Sequence, residues 1–508
     1  MRNNYSALAG LGLLFFKQNL IHNASLPERV VNQVFFCTGY SRGKESATFF
    51  LASSFANKHL MEGVINMRGK RGIPLFILLF LQPSGAWADF SDALSFSDNA
   101  FLRDSQLDLR LRNHWKYLKE NEAQPTAVHN AWGQAASLNF RSGYQWDWLG
   151  FDATYTRTIR LGASDYFATR GLLYDSGGHQ QKADAHGFSK FGERYLKVKL
   201  GDANAGFKGK AGWQELKNIG VLTTTDRLSR NSYSGYSGAL NVQKIRLDLA
   251  YVTKTLRHDS PESLALQTQD RRKINAIYTG ALSYTGDRGR LAYAFGEAEA
   301  YQRRHVIEAN YSLSPDWRLS SQIYGSQGLE NYKSMAASKR SYDNHAWHYV
   351  GEADWINDRW TQKFAAAWTS APKHNAVGYY VRPLTKNTRG RFNALTSAGK
   401  DYTRDKELAL VSQTEFEISK GIFSGFQINY GQFNYRNTRI RSGEVALINR
   451  FIEPHPVLKG LSVFTLFGYG WSYKNNKETP VFNAQGKYMR SPSLSAEIAV
   501  EYKLNLFR

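Results

Sequence analysis

Residues 106–117 read QLDLRLRNHWKY: Leu107, Leu109 and Leu111 alternate with Asp108, Arg110 and Arg112. Side chains along a β-strand point to opposite faces with a period of two, so this stretch has one apolar and one charged face. The pattern returns along the chain. In YLKVKLG, Leu196, Val198 and Leu200 oppose Lys197 and Lys199; in KIRLDLAYV, Ile245, Leu247 and Leu249 oppose Lys244, Arg246 and Asp248. In QTEFEIS, Phe416 and Ile418 oppose Glu415 and Glu417; in IAVEYKLNLFR, Val500, Tyr502, Leu504 and Leu506 oppose Glu501, Lys503 and Asn505. An Arg or Lys turned toward the middle of a bilayer costs roughly 2–4 kcal/mol, so in a membrane barrel such charged faces line a wet lumen. A single strand of this kind also fits a soluble β-sandwich. Repetition over the whole chain, with Trp146, Trp148, Trp471 and Tyr473 near strand ends as interface anchors, selects an all-β transmembrane antiparallel β-barrel.

Residues 67–90, MRGKRGIPLFILLFLQPSGAWADF, supply the export signal such a barrel needs. Arg68, Lys70 and Arg71 form a basic start, residues 73–81 an apolar middle too short to span a bilayer, and Ala86 and Ala88 a small-residue cleavage box. The expected organisation is an upstream extension over residues 1–66 with Met67 the true start, a Sec-type signal peptide over 67–88 cleaved after Ala88, and a barrel over 89–508. The only cysteine, Cys37, falls in the first part, so the exported chain has no disulfide framework. It keeps 56 Lys and Arg against 40 Asp and Glu. Nucleic acid would suit that surplus, but the export signal argues against it. No long apolar run follows residue 88 and mean hydropathy is −0.48, which excludes a helical membrane protein.

The face opposite the apolar one carries basic doublets two residues apart: Arg110/Arg112, Lys197/Lys199, Lys208/Lys210 and Lys244/Arg246. On the lumen side they would form a basic ladder that eases an anion through a pore. Glu415 and Glu417 come from a late strand, so opposite walls would carry opposite charge. Doublets that sit in loops (Arg288/Arg290, Arg389/Arg391, Arg439/Arg441) suit contacts to phosphate groups of surface lipopolysaccharide instead. Residues 222–238 and 372–405 lack alternation and read as long loops. They hold Asp226, Arg227, Arg230 and Tyr233, and Tyr379, Tyr380 and Arg382. Loops of this length in a compact barrel are usually functional.

These residues carry a family resemblance. FLRDSQLDLRLRN, with Asp104-Ser105 and Arg112-Asn113, resembles the first strand of the OprD-type outer-membrane porins, the substrate-specific carboxylate channels. Ser142, Gly143, Tyr144, Gly150 and Phe151, then Gly171-Leu172-Leu173, then Asp226-Arg227-Leu228 with Tyr233 and Gly235, and finally residues 458–462, resemble further motifs of that family in the same order. The resemblance implies 18 strands, a monomer or loose trimer, a Gram-negative outer membrane, and loops folded inward to a narrow eyelet. It also implies carboxylate-bearing or other small anionic solutes, contact with outer-membrane lipid and with the assembly machinery, and no cofactor. Two departures stand out. Arg230 replaces a family proline, and the usual terminal aromatic, here Phe507, is followed by Arg508 and lies out of phase with Leu504 and Leu506. Arg230 could join Arg227 in holding a carboxylate, or pair with a loop acid such as Asp226.

No metal-spaced His/Cys set, Walker loop or nucleophile elbow is present. His345 and His348, three apart, fall on opposite faces of a strand, so no metal site is expected. The expected function is a non-enzymatic diffusion channel. The alternative is a loop-closed barrel serving as a surface adhesin or structural protein.

Overall fold

The computed structural model describes residues 99–120, 127–202, 204–395, 401–453 and 458–507, together with three short strands near the N-terminus. The chain divides into two units. In the first, residues 1–81, Val34–Phe35, Phe49–Ser53 and Met61–Ile65 pair antiparallel. The export signal, the cleavage site after Ala88 and the start at Met67 lie outside the described residues.

The second unit, residues 82–508, is a closed antiparallel barrel. Its wall begins with β1 (Gln106–Glu120), β2 (Ala127–Arg141), β3 (Leu149–Ala163), β4 (Ser189–Gly201), β5 (Ala205–Gln214) and β6 (Ser232–Val242). It continues through β7 (Ile245–Leu256), β8 (Ile277–Thr285), β9 (Gly289–Ala298), β10 (Gln302–Ser312), β11 (Trp317–Gly328) and β12 (His345–Ile356). The last six are β13 (Trp360–Ser370), β14 (Leu408–Ser419), β15 (Ile422–Tyr435), β16 (Thr438–Ile452), β17 (Leu461–Tyr473) and β18 (Arg490–Phe507). Each strand pairs with the next, and β18 pairs with β1 (Glu501 opposite Arg112, Lys503 opposite Arg110), so the 18-stranded wall has no open edge. A short strand, Ser263–Gln267, adds to the far end of β7.

Burial follows the alternation. Leu196, Leu200, Leu249 and Leu282 point out and are more than half exposed, whereas Tyr195, Asp248 and Ala250 between them are buried. Apolar exposure on this scale around a whole wall marks a lipid-facing surface. Among the described residues no helix is long and apolar enough to cross a membrane; the crossings are made by strands.

One rim carries tight turns and the other long segments. At the tight-turn rim, Gly143 backs onto the short helix α1 (Ala100–Arg103), where a Cβ would collide with the Ala100 carbonyl. Two sequence expectations change here. Residues 232–238 belong to β6; the alternation is hidden because Tyr236 is the one large outward side chain, between Ser234 and Gly238. Phe507 is not out of phase: a bulge between Asn505 and Phe507 resets the register, and Phe507 pairs with the outward-facing Leu107.

Candidate functional site

Residues 215–231, between β5 and β6, and residues 371–395 and 401–407, between β13 and β14, fold into the barrel and meet. Leu222 bridges Gly390; Thr223 N donates to the Arg389 carbonyl at 3.0 Å and Arg391 N to the Val221 carbonyl at 2.8 Å. Gly390 has no room for a side chain, because a Cβ would strike the Arg382 carbonyl. The hydroxyl of buried Tyr233 seals the junction, donating to Thr223 O at 2.9 Å and accepting from Arg389 N at 3.0 Å. Leu216, Val221, Leu222, Tyr380 and Leu384 share one apolar core beneath it. A third segment, residues 164–188, packs Leu172 and Leu173 against Leu228.

Charged side chains fasten these segments to the wall. Asp226 accepts from Arg110 at 2.7 Å, Arg112 at 3.0 Å and Arg230 at 3.2 Å, while Glu501 of β18 takes Arg110 Nε at 2.6 Å and Arg112 at 3.2 Å. Burial works to raise the Asp226 carboxyl, but Arg110, Arg230 and Arg112 together outweigh it and hold the group at about 2. Arg304 of β10 is wholly buried and gives its guanidinium to the carbonyls of Val381 (2.7 Å), Pro383 (3.3 Å) and Arg382. Arg391, also buried, reaches Glu308 of β10 at 2.9 Å. Arg404 grips Glu407 and Glu478.

Beside this framework lies a lumen cavity of about 790 Å³. Its basic groups come mainly from the segments: Arg170, Arg227, Arg382 and Arg389. Its acids include Glu352 and Asp354 on β12, Glu415 on β14, Glu444 on β16 and Glu497 on β18. Arg382 pairs with Asp401, Arg450 with Glu415 at 2.7 Å, and Lys116 with Glu497 at 2.9 Å. Among the described residues Arg170, Arg227 and Arg389 make no ion pair; Arg227 is held instead by the Arg170 carbonyl at 2.9 Å. Burial, more than any charge, lowers the Arg227 guanidinium from its usual range; Glu497 works against this and Arg389 with it. Burial likewise lowers Arg170 and Arg382. These half-buried cations have lost part of their hydration and so favour an anion beside them.

The residues singled out in the sequence have the following positions. Arg110 and Arg112 face inward, but both are engaged on Asp226 and Glu501. Lys208 lies opposite Lys199 and Lys210 opposite Lys197, so these four are brought together. Lys197 holds Asp152 at 2.8 Å and lies with Lys199 over the Tyr144 ring; Lys210 contacts Tyr195. Lys244 is not on a strand face: it sits in the turn between β6 and β7 and pairs with Asp287 of the next turn. Arg246 is forked onto Asp248 two residues on. Tyr233 and Tyr380 are buried behind the constriction rather than lining it. Tyr379 N is bonded to Ser341 O, away from the cavity's guanidinium groups. Glu415 lines the cavity, and Glu417 accepts from Gly421 N at the tight-turn rim. Arg230 pairs with Asp226 and, at 3.5 Å, with Glu215. Sequence reasoning placed Arg389 in the second long loop, where it lines the cavity, but gave no sign of Arg170 in the lumen or of Arg304 of β10 beneath the loop, since both are brought to the site by folding. Among the described residues no cluster could hold a metal ion.

The family described as outer membrane porin, OprD family, matches residues 99–407. No curated protein sequence matches the chain. Among solved structures, OccAB1 of Acinetobacter baumannii is similar with a TM-score of 0.64 at 14% identity, over 82% of this chain and 99% of that one. OccAB4 of the same organism gives 0.62 at 15% identity, over 79% and 98%. OpdK of Pseudomonas aeruginosa, solved with vanillate, gives 0.60 at 15% identity, over 80% and 100%. At these identities the likeness is one of fold.

Proposed function

Because the chain belongs to the OprD family of outer-membrane porins, we propose that its channel is a passive path for small anionic, carboxylate-bearing solutes, selected at the constriction between residues 215–231 and 371–407. The observation that carries this reading is the trio Arg170, Arg227 and Arg389, which faces the cavity with no ion-pair partner among the described residues. A planar guanidinium presents a fork of donors matched to a carboxylate, and several along one passage lower the energy of an anion crossing it. The lysines of β4 and β5 continue the positive potential toward the tight-turn rim. Acids across the cavity keep the site from becoming a trap, since a transported solute must leave as readily as it enters. OpdK, a barrel of the same fold, was solved with vanillate, a carboxylate-bearing molecule.

Planar-bilayer recordings in a salt gradient test the reading. The reversal potential is expected to report anion preference, and liposome swelling to be faster with benzoate than with a neutral ring of the same size. Cation preference, or equal swelling rates, would overturn it.

A further inference from the structure

Arg157, Arg194 and Lys254 face away from the lumen. Arg157 shares the phase of exposed Phe151 and Tyr155 on β3, and Arg194 that of Leu196 and Leu200 on β4. Lys254 follows a bulge on β7 and is exposed beyond Tyr251. Arg194 is opposite Trp213, Trp213 opposite Ser234, and Ser234 opposite Lys254, so the two cations share one row across four strands. Three strand spacings of ~4.8 Å set them about 14 Å apart. The next outward row toward the tight-turn rim holds Tyr236, Tyr251 and Tyr278, with centroids 6.5 and 5.3 Å apart. Such a file of tyrosines marks the level where hydrocarbon gives way to headgroups.

The cations therefore stand at headgroup level, on the side of the long segments. Arg194 bends that way: its Nη1 donates to the Phe191 carbonyl at 2.6 Å, and its guanidinium lies 5.2 Å from the Trp213 ring. Arg157 donates to Ser189 Oγ at 3.0 Å. Among the described residues none of the three makes an ion pair. Beneath the tyrosines the outer wall has an open recess of about 670 Å³, floored by Gly238 and Gly280 and flanked by Phe207, Leu249, Leu282 and Tyr293.

The geometry points to a specific lipid site on the outer wall, occupied by a phosphorylated, acylated disaccharide of the outer leaflet, with phosphates at Arg194 and Lys254 and an acyl chain in the recess below. Two cations in one row, about three strand spacings apart, match phosphates carried at the two ends of a disaccharide better than the single phosphate of a diester lipid. Arg157, nearer the rim, adds to the field around the first phosphate. The recess lies directly under the Tyr236–Tyr251–Tyr278 file, so one molecule reaches both. This inference concerns the outside of the barrel and does not depend on which solute the lumen passes.

Native mass spectrometry of the full chain in detergent, with bisphosphorylated lipid A, its monophosphoryl form and phosphatidylglycerol as probes, tests it. The bisphosphorylated lipid is expected to bind at least tenfold tighter than either of the others. Arg194→Gln with Lys254→Gln is expected to lower that affinity at least tenfold while heat-modifiability and single-channel conductance stay unchanged. Equal binding of the monophosphoryl form, equal binding of phosphatidylglycerol, or undiminished binding by the variant would each overturn the site. The comparison of lipids on the unaltered chain stands even if the variant fails to fold.

Discussion

Asp226 Oδ1 accepts from Arg110 Nη2 at 2.7 Å, and this contact bonds an inward-folded loop to one of the two strands at which the barrel closes. Asp226→Asn keeps the shape of the side chain and removes the charge that gathers three arginines. The Asp226 side chain is 44% exposed, so water screens part of the loss; about 1–2 kcal/mol of loop anchoring should disappear. That corresponds to a five- to thirty-fold larger population of the loosened loop. Single-channel recordings should show more frequent transitions to higher conductance. An unchanged current trace would mean that apolar packing around Leu222 and Leu228 suffices alone.

The same carboxylate sets an acid limit. Its folded value of about 2 lies below the ~3.9 of a free aspartate, so its contribution is complete above that free value and is lost as pH falls through about 2. Current noise should stay level from pH 7 to 4 and rise toward pH 2. A transition centred above pH 4 would place the control on another group.

Charge selectivity should follow the loop arginines more than the strand doublet. Arg227→Gln together with Arg389→Gln removes two cations that have no carboxylate partner among the described residues, and anion preference should fall several-fold. Arg230→Pro should instead alter carboxylate flux and small-ion conductance together, because Arg230 is bound to Asp226 and Glu215 and acts on loop position. Reversal potentials paired with swelling rates separate the two behaviours.

Arg304 supports the second loop from below. Arg304→Ala strips the carbonyls of Val381, Arg382 and Pro383 of their buried donor at a cost of the order of 3 kcal/mol. The temperature of the heat-modifiable shift should drop and conductance should rise. Arg304→Lys, which lacks the fork, should recover little of either.

Export processing gives a prediction of a different kind. N-terminal sequencing of the purified protein should begin at Asp89. A mature terminus upstream of Met67 would show that the leader region is translated and retained.

The barrel was legible because it rests on period two: β1, β4, β7, β14 and β18 each announce their faces in the alternation of leucine-like and charged residues. It failed where small residues stood outward, as at Ser234 and Gly238 of β6, since a small side chain leaves no contrast. It failed again where one residue was inserted, at the bulge before Phe507, because alternation assumes an unbroken register. Lys244 kept its phase but not its face, as the turn between β6 and β7 ended the strand beneath it. The constriction was legible only as two stretches without a pattern. That Leu222 pairs with Gly390, or that Arg304 caps Val381, depends on backbone groups that every residue possesses and no composition reveals.

Asp226 of the loop and Glu501 of the last strand share the same two guanidinium groups, Arg110 and Arg112 of the first strand. The seam that closes the wall and the loop that narrows it are thus pinned at one point. A change that strains the seam there is felt at the bore, and a change that frees the loop is felt at the seam.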